Sequence, residues 1–271
     1  MIKLIKDISD QLIQSQGVDV SIYEGTFLKK TLQKRITETH CNSMEEYCTL
    51  FEQNNTEGKL LIDSLQNNYS EFFRNALTFA VLERIVLPSM LMKKKKRKEI
   101  RIWSAACAQG QEVYSIAMLL EELGNGDKDK FRYRIFATDK CDEQINKART
   151  GKYSSSALNN VNLKRAEKWF TKQKDIFTIK PELMENIDFS VFDLLDKKYS
   201  SPSASIFGDF DIVLCANLLF YFNPEIRKKI LDKVSKSISD GGYLITGEAE
   251  REIVLNHNFT EVFPQSGIFQ K

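Results

Sequence analysis

Histidine and cysteine, the usual zinc ligands, are scarce or scattered in this chain of 271 residues. It contains two histidines and five cysteines, and no two cysteines form a C-x-x-C pair. Zinc sites in proteins are built from closely spaced ligands of these types. We therefore expect no metal site, and the odd number of dispersed cysteines indicates free thiols in a reducing compartment.

Long apolar runs and an excess of one charge are also missing. No segment has the roughly 20 apolar residues that a membrane-spanning helix requires. The N-terminal segment "MIKLIKDISDQLIQ" has Lys3, Lys6 and Asp7 among its apolar residues, which argues against a signal peptide. The 39 basic and 37 acidic residues nearly cancel, so the charge balance favours no nucleic-acid partner. We expect a cytoplasmic protein that is not inserted into a membrane.

The pattern of apolar residues changes part-way along the chain. Residues 1–90 have helical periodicity, and "KKKKRK" at 93–98 follows as a hydrophilic bridge. After it, strand-like runs alternate with helical stretches; the runs are "EIRIWSA", "RYRIFATD", "IDFSVFDLL", "FDIVLCAN" and "GGYLITGE". This alternation predicts an α/β fold, with a mostly parallel sheet and helices on both faces.

These patterns predict three regions. A helical N-terminal domain covers residues 1–75, a helix and basic linker cover 76–98, and an α/β domain covers 99–271. The segment at about 155–190 is longer than an ordinary crossover between parallel strands. Because "DIFTIKPELMENIDF" within it has the pattern of a hairpin, we predict a small β-subdomain inserted there.

Polar residues follow several predicted strands, at the sheet edge where open parallel sheets bind ligands. They are Gly110 and Glu112 in a tight turn, then Asp139, Asp193, Asn217 and Tyr221. An aspartate at 139 suits the two hydroxyls of a ribose, and one at 193 suits an adenine amino group. An acid at a strand end is often only a helix cap, so no single position decides the matter. Since the G-x-G-x-x-G fingerprint is absent, the pattern favours a nucleoside without a pyrophosphate, such as S-adenosylmethionine.

Longer segments permit a comparison with known families. In chain order they are "NNYSEFFRN", "IRIWSAACAQGQEVYSIAMLL", "IFATDKCDEQINKARTGKYS", "FDIVLCANLLFYFNPE" and "DGGYLITGEAE". In this order and spacing they resemble the CheR family, the chemoreceptor glutamate O-methyltransferases. The N-terminal "GVDVSIYEGTFLKKTLQKRI" is similar to the helical domain of that family. The resemblance implies a Rossmann-like S-adenosylmethionine-dependent methyltransferase fold behind a small all-α domain.

The resemblance also implies the residues of the site. Arg74 ends the "SEFFR" motif and would reach the reacting centre, while Tyr221 would face the transferred methyl group; these are the expected catalytic residues. The expected contacts to S-adenosylmethionine, or to its product S-adenosylhomocysteine, are Asn68, Ser70, Arg74, Glu112, Asp139, Asp193, Leu194, Ala216 and Asn217.

The implied reaction needs few chemical groups. A glutamate carboxylate, with a pKa of about 4.3, is ionised at neutral pH and attacks a methyl group without a general base. The enzyme would mainly align the reactants and exclude water. Arg74 would hold a carboxylate in bidentate fashion, and Tyr221 would orient the acceptor through its hydroxyl.

The implied partners are the cytoplasmic helices of methyl-accepting chemotaxis receptors, in sensory adaptation. Lys29, Lys30, Lys34 and Arg35 recur at helical spacing, either as a solvated face or as a surface that meets acidic receptor helices. We expect a monomer. Which receptor is methylated, and whether the inserted hairpin binds a receptor tail peptide, are questions that the sequence leaves open.

The chain departs from the family patterns on the acceptor side. Ala216 stands where the family has an arginine before Asn217, and "GEAE" replaces G-x-S-E, with Glu248 and Ala249 beside Glu250. Two alternatives therefore stay open. One is a CheR-like enzyme that methylates a different protein, and the other is a non-catalytic module that binds the cofactor and signals through partners.

Overall fold

The computed structural model describes residues 2–66, 69–93, 99–124, 131–205, 208–257 and 259–271. The chain folds into two compact units. The helical unit comprises Met1–Asn67 and Phe220–Lys228, and the α/β unit comprises Asn68–Leu219 and Lys229–Lys271. The helical unit thus includes a short segment from the C-terminal half of the chain, which no local sequence pattern indicates.

The helical unit is built mainly from the N-terminal helices. They are α1 (Ile2–Gln16), α2 (Gly25–Glu38), α3 (Met44–Gln53) and α4 (Asn55–Leu65). The side chain of Glu24 accepts the N–H of Phe27 at the start of α2, and that of Ser43 accepts the N–H of Glu46 at the start of α3. The core is apolar and includes Leu12, Leu28, Leu32, Phe51 and Leu61.

A buried ion pair joins three of these helices. Arg35 of α2 donates through Nε and Nη2 to the two carboxylate oxygens of Glu57 on α4, at 2.9 and 2.7 Å. Tyr47 of α3 donates its hydroxyl to the same carboxylate at 2.8 Å. Bidentate pairing of this kind satisfies both charged groups away from water. Arg35 is therefore part of the core, whereas the lysines of α2 are exposed.

The α/β unit alternates strands and helices. Its strands are β1 (Ile100–Ser104), β2 (Tyr133–Asp139), β3 (Lys152–Ser154), β4 (Phe170–Gln173), β5 (Ile176–Ile179), β6 (Ile187–Val191), β7 (Phe210–Leu214), β8 (Ile238–Ile245), β9 (Thr260–Glu261) and β10 (Ile268–Gln270). Its helices are α5 (Ala76–Val81), which continues through a π-helical turn (Leu82–Val86) into α6 (Leu87–Lys93), then α7 (Gln111–Gly124), α8 (Asp142–Thr150), α9 (Leu163–Trp169), α10 (Pro224–Ser237), whose first residues belong to the helical unit, and α11 (Arg251–Leu255).

Among the described residues, seven strands form one sheet in the order β6-β2-β1-β7-β8-β10-β9. The first five are parallel, β10 runs antiparallel to β8, and β9 runs antiparallel to β10. The chain runs from β1 through β2 to β6 and then returns to the other side of β1 at β7. In open α/β sheets, a ligand binds at the carboxyl edge beside such a reversal of strand order.

The central strand β1 is covered on both faces. Ile102 and Trp103 are neighbours whose side chains point to opposite faces, and both are 0% exposed. At its carboxyl end, Ser104 is paired with Ala137 of β2 and with Leu214 of β7. The ends of these three strands therefore lie side by side. The mostly parallel α/β sheet predicted from the sequence is confirmed.

The segment of the chain between α8 and β6 forms a second, smaller sheet. Its strands are antiparallel and follow the order β3-β5-β4. The ring of Phe72 packs edge-on against the rings of Tyr153 and Phe170, at 4.9 and 5.6 Å between centres. The segment at about 155–190 thus contains β4 and β5, and a third strand, β3, joins them from before residue 155. The stretch "DIFTIKPELMENIDF" is not itself a hairpin, because β5 within it pairs with β4, whereas β6 at its end belongs to the larger sheet.

Candidate active site

The turn between β1 and α7 is held tightly against its neighbours. The N–H of Cys107 donates to the carbonyl of Thr138 on β2, and the N–H of Gly110 donates to the carbonyl of Cys107, both at 2.9 Å. Gly110 has a φ of +87°, and a Cβ atom there would lie 3.1 Å from the Cβ of Ala148 on α8. Glycine therefore satisfies both the backbone conformation and the close approach to α8.

Asp139, the last residue of β2, is fixed by two backbone N–H groups. Its Oδ2 accepts the N–H of Ala108 at 3.0 Å, and its Oδ1 accepts the N–H of Cys141 at 2.9 Å. Ala108 adopts a φ of +46°, which is uncommon for a residue with a Cβ. An ionised carboxylate has about four acceptor positions, so further positions stay open to a ligand. Asp139 thus offers rigidly held acceptors at the carboxyl edge of the sheet.

Glu112, in the first turn of α7, is a carboxyl group with a strongly altered pKa. Burial raises the pKa of Glu112 from the ordinary value of 4.5 to about 7. The hydroxyl of Ser104, which donates to Glu112 at 2.8 Å, and the positive charge of Arg74 act in the opposite direction, while the charge of Glu250 adds to the rise. Perturbed carboxyl groups of this kind occur often at functional sites.

Arg74 lies on a constrained stretch of backbone. Its neighbours Phe73 and Asn75 have φ values of +49° and +63°. The N–H of Phe73 donates to the hydroxyl of Ser115 on α7 at 2.9 Å, and the guanidinium of Arg165 lies 4.6 Å from the centre of the Phe73 ring. Left-handed conformations of non-glycine residues cost about 1–3 kcal/mol and persist only where the surroundings enforce them. α7 and α9 therefore jointly fix the segment that presents Arg74.

The segment after β7 is held by a buried carboxylate. The N–H groups of Asn217, Leu219 and Gly247 donate to Glu250 at 2.7, 2.6 and 2.8 Å. Glu250 is 0% exposed, and burial raises its pKa although these N–H groups lower it. Asn217 has a φ of +60°, and Ala216 before it is half-buried. This carboxylate therefore fixes the backbone that leaves β7.

Asp193 and Leu194 lie on the turn after β6, next to the end of β2. The N–H of Phe192 donates to the carbonyl of Asp139 at 3.0 Å, which ties this turn to β2. The exposed Asp193 accepts the N–H of Leu195 at 2.8 Å, and Leu194 is buried. A carboxylate and an apolar side chain are thus adjacent at this edge, a combination that suits a purine base.

A family model described as "CheR methyltransferase, SAM binding domain" matches residues 68–268, well over half of the chain. The chain belongs to the CheR family. It is accordingly an S-adenosylmethionine-dependent methyltransferase with a Rossmann-like sheet, and the resemblance inferred from the ordered sequence segments is confirmed.

Curated relatives agree with the assignment to CheR. The chemotaxis protein methyltransferase Cher2 of Pseudomonas putida is 34% identical over 194 residues, which cover 70% of this chain and 68% of that protein. A chemotaxis protein methyltransferase of Borreliella burgdorferi is 28% identical over 272 residues, covering 97% of this chain and 94% of its own. That of Escherichia coli is 29% identical over 260 residues, covering 93% and 86%.

The residues at the carboxyl edge of the CheR sheet fit S-adenosylmethionine. This cofactor carries a positive sulfonium and a positive ammonium group, and the carboxyl groups of the partly buried Glu112 and the buried Glu250 make the edge electronegative when ionised. Arg74 suits the carboxylate of the cofactor, and Asp139 suits its ribose hydroxyls. When bound, the cofactor supplies an electrophilic methyl group. The protein groups required for binding are therefore available.

Three further residues were expected in the site, namely Tyr221, Ser70 and Asn68. Tyr221 belongs to the helical unit, where its ring centre lies 4.7 Å from that of Phe27 on α2 and its carbonyl accepts the N–H of Glu24 at 2.8 Å. Ser70 is half-buried in the α/β unit, and Asn68 lies outside the described residues. The roles of these residues stay predictions.

The sequence did not reveal the hydrogen bonds of Glu250 to the segment after β7, and it singled out this residue only as the neighbour of two exchanged positions. A usable signal was present, because Glu250 follows β8 closely, as Asp139 ends β2. Its hydrogen-bond partners Asn217 and Leu219, however, lie 33 and 31 positions away in sequence. No local pattern reveals a contact over that separation.

Two further properties apply only to the part of the chain that the structure describes. It contains no group of three or more histidine, cysteine, aspartate or glutamate residues arranged to hold a metal ion. Nor does it contain a helix with the length and apolarity that crossing a bilayer requires. The cysteines are all free thiols.

Proposed function

We propose that this CheR protein transfers the methyl group of S-adenosylmethionine to glutamate side chains on the cytoplasmic helices of chemoreceptors, and acts in the cytoplasm as a monomer. The family match and the names of the curated relatives support a chemotaxis methyltransferase. The observation that carries the cofactor site is the pair of N–H groups that fix Asp139 at the end of β2, beside the turn that holds Gly110.

In this proposal the carboxyl edge of the sheet binds the cofactor. Asp139 accepts hydrogen bonds from the ribose, Asp193 and Leu194 adjoin the adenine, and Glu112 and Asn217 adjoin the methionine part. Fixed acceptors lose no conformational freedom when the ligand binds, so each contact contributes more to affinity. Asn68, Ser70 and Ala216 complete the proposed set of contacts.

Catalysis in this proposal consists of alignment. The acceptor glutamate is ionised at neutral pH, so no general base has to remove a proton. Arg74 holds a carboxylate, and Tyr221 orients the acceptor through its hydroxyl. Holding reactants in a near-attack geometry contributes on the order of 7–11 kcal/mol to lowering a barrier.

The lysines of α2 are the proposed contact to the receptor. Lys29, Lys30 and Lys34 are exposed. Arg35, by contrast, is buried in an ion pair with Glu57, although its helical spacing grouped it with these lysines. Exposed positive charge accelerates association with an acidic helix, and salt screens the effect. Methylation of receptor membranes should therefore slow as ionic strength rises, without a matching loss of cofactor affinity.

The cofactor site is tested by calorimetric titration with S-adenosylhomocysteine. Asp139→Ala and Arg74→Ala should each weaken binding by about tenfold or more, because each removes hydrogen bonds to a charged group. Asp175→Ala, an exposed aspartate at the tip of the β4–β5 hairpin, is the matched control and should bind like the parent. Parental affinity in both site variants would contradict the proposed site.

The acceptor is tested with receptor-containing membranes and radiolabelled S-adenosylmethionine. Release of label as methanol by mild base is expected for glutamyl methyl esters, and substitution of receptor glutamates by alanine should abolish it. Label on another protein in a cell lysate, with none on receptors, would favour a different acceptor. Tight cofactor binding with no ester on any protein would favour a non-catalytic module.

A further inference from the structure

Glu250 uses its carboxylate to hold two separate stretches of backbone. Oε2 accepts the N–H groups of Asn217 and Gly247, and Oε1 accepts that of Leu219. Asn217 and Leu219 follow β7, whereas Gly247 follows β8. One side chain therefore joins the ends of two adjacent strands at the edge where the cofactor is proposed to bind.

This arrangement places an acid in the interior without a paired cation. Glu250 is 0% exposed, and among the described residues it takes part in no ion pair. Removing a carboxylate from water is costly unless hydrogen bonds replace the lost hydration. Here backbone N–H groups provide them, and bonds of this kind to an ionised acceptor are strong. The geometry of these N–H groups is thus tied to the carboxylate.

The backbone and the side chain of Asn217 are also constrained by their surroundings. Asn217 has a φ of +60°, a conformation that asparagine adopts more readily than most residues but still at a cost. A Cβ atom added to Gly247 would lie 2.8 Å from the Oδ1 of Asn217, closer than such atoms can approach. Glycine at 247 therefore leaves the space that the asparagine side chain occupies.

We propose that Glu250 is a positioning residue, which fixes Asn217 and the backbone after β7 in the conformation that contacts the cofactor, with Gly247 providing the required space. The inference rests on the proposed function, because it takes Asn217 as a cofactor contact. Glu250 itself touches neither substrate nor cofactor in this proposal.

Glu250→Gln tests the inference with little change in side-chain volume. An amide has one acceptor oxygen, so its NH₂ group must face either Leu219 or the pair formed by Asn217 and Gly247. Titration with S-adenosylhomocysteine, well below the unfolding temperature, should give a Kd about tenfold above that of the parent. A Kd within twofold of the parent overturns the inference.

Glu261→Gln is the matched control for a merely structural effect. Glu261 on β9 also accepts a backbone N–H, from Gly267 at 3.0 Å, and pairs with Arg251 at 2.7 Å. Its replacement should lower the melting temperature and leave the Kd unchanged. A loss of affinity equal to that of Glu250→Gln would mean that general destabilisation explains both, which overturns the inference.

Gly247→Ala provides a second test that keeps the carboxylate. Its methyl group would lie 2.8 Å from the Oδ1 of Asn217 and 3.0 Å from the Oε2 of Glu250, so it must displace the side chain of Asn217 or move the carboxylate that fixes it. In either case the Kd should rise as in Glu250→Gln. In an Asn217→Ala background, neither substitution should weaken binding much further, because contacts that act through one residue are not additive. Additive losses would overturn the inference, and Gly247→Ala decides the matter if Glu250→Gln fails to fold.

Failure of this inference can be separated from failure of the proposed function. If Asp139→Ala binds S-adenosylhomocysteine like the parent, the proposed cofactor site is wrong and Glu250 loses its role with it. If Asp139→Ala loses affinity while Glu250→Gln and Gly247→Ala keep it, the site stands and only the role of Glu250 is wrong.

Discussion

Glu112 allows the electrostatics of the site to be tested without any acceptor protein. Burial raises the pKa of Glu112 from 4.5 to about 7, and the charge of Glu250 adds to this. In the unfolded chain the group ionises near its ordinary pKa, so between pH 4.5 and 7 the folded protein keeps a proton that the unfolded chain has released. Stability therefore falls as pH rises through this window, and the full penalty is present above about pH 7.

The penalty is large enough to measure. The difference between 4.5 and about 7 corresponds to about 3 kcal/mol, which the partial solvent exposure of Glu112 should reduce to about 2 kcal/mol. Glu112→Gln keeps an acceptor for the hydroxyl of Ser104 and removes the titration. At pH 8 the variant should be more stable than the parent by about 2 kcal/mol, or roughly 4–8 °C in Tm. At pH 5 its advantage should fall below about 1 kcal/mol.

Urea and thermal unfolding of the cofactor-free protein, measured from pH 5 to 8, provide the assay. Glu167→Gln, an exposed glutamate on α9, is the control and should reproduce the pH dependence of the parent. The reasoning is refuted if Glu112→Gln has the same slope of stability against pH as the parent. A variant that is less stable than the parent at pH 8 would refute it equally.

The remaining predictions concern single contacts. Glu57→Gln removes the bidentate carboxylate that Arg35 holds in the core and leaves Arg35 only its pair with the more exposed Glu38. It should cost about 1.5–3 kcal/mol in urea unfolding, whereas a cost below about 1 kcal/mol would mean that solvent reaches the pair. Gly110→Ala forces a side chain into a left-handed conformation against α8 and should lower the free energy of unfolding by about 1–3 kcal/mol; an unchanged urea midpoint would contradict this. Phe27→Leu removes the ring that packs on Tyr221. It should raise the KM for receptor while the Kd for S-adenosylhomocysteine stays the same. An unchanged KM would contradict a role of Tyr221 in acceptor binding.

Much of the fold followed from local patterns in the sequence. The central strands β1 and β7 are rich in apolar residues because they are mostly buried on both faces, and this pattern made them recognisable. The end of the sheet was not predicted. β9 and β10 have two and three residues, too few to show a period, and they join the sheet only through pairing with β8 and with each other.

In the same way, some residues could be interpreted from the local sequence, whereas others depend on residues distant in the chain. Asp139 and Glu112 were visible because each stands directly at the end of a strand or the start of a helix. The environment of Arg35 was not visible, because the residue that buries it, Glu57, is 22 positions away and on another helix. Periodicity assigned Arg35 to an exposed basic face, and only the tertiary pairing shows that its charge is used internally.

The positions at which the chain departs from the family patterns are exposed or half-buried. Glu248 and Ala249 are exposed, and Ala216 is half-buried, whereas Glu250, which directly follows Ala249, is fully buried. Substitution of the exposed residues 248 and 249 leaves the buried hydrogen bonds to Asn217 intact, so we expect these two exchanges to affect acceptor preference more than the conformation of the backbone after β7. Ala216 differs from them, because it is half-buried and replaces an arginine at a proposed cofactor contact, so this exchange should also change cofactor affinity.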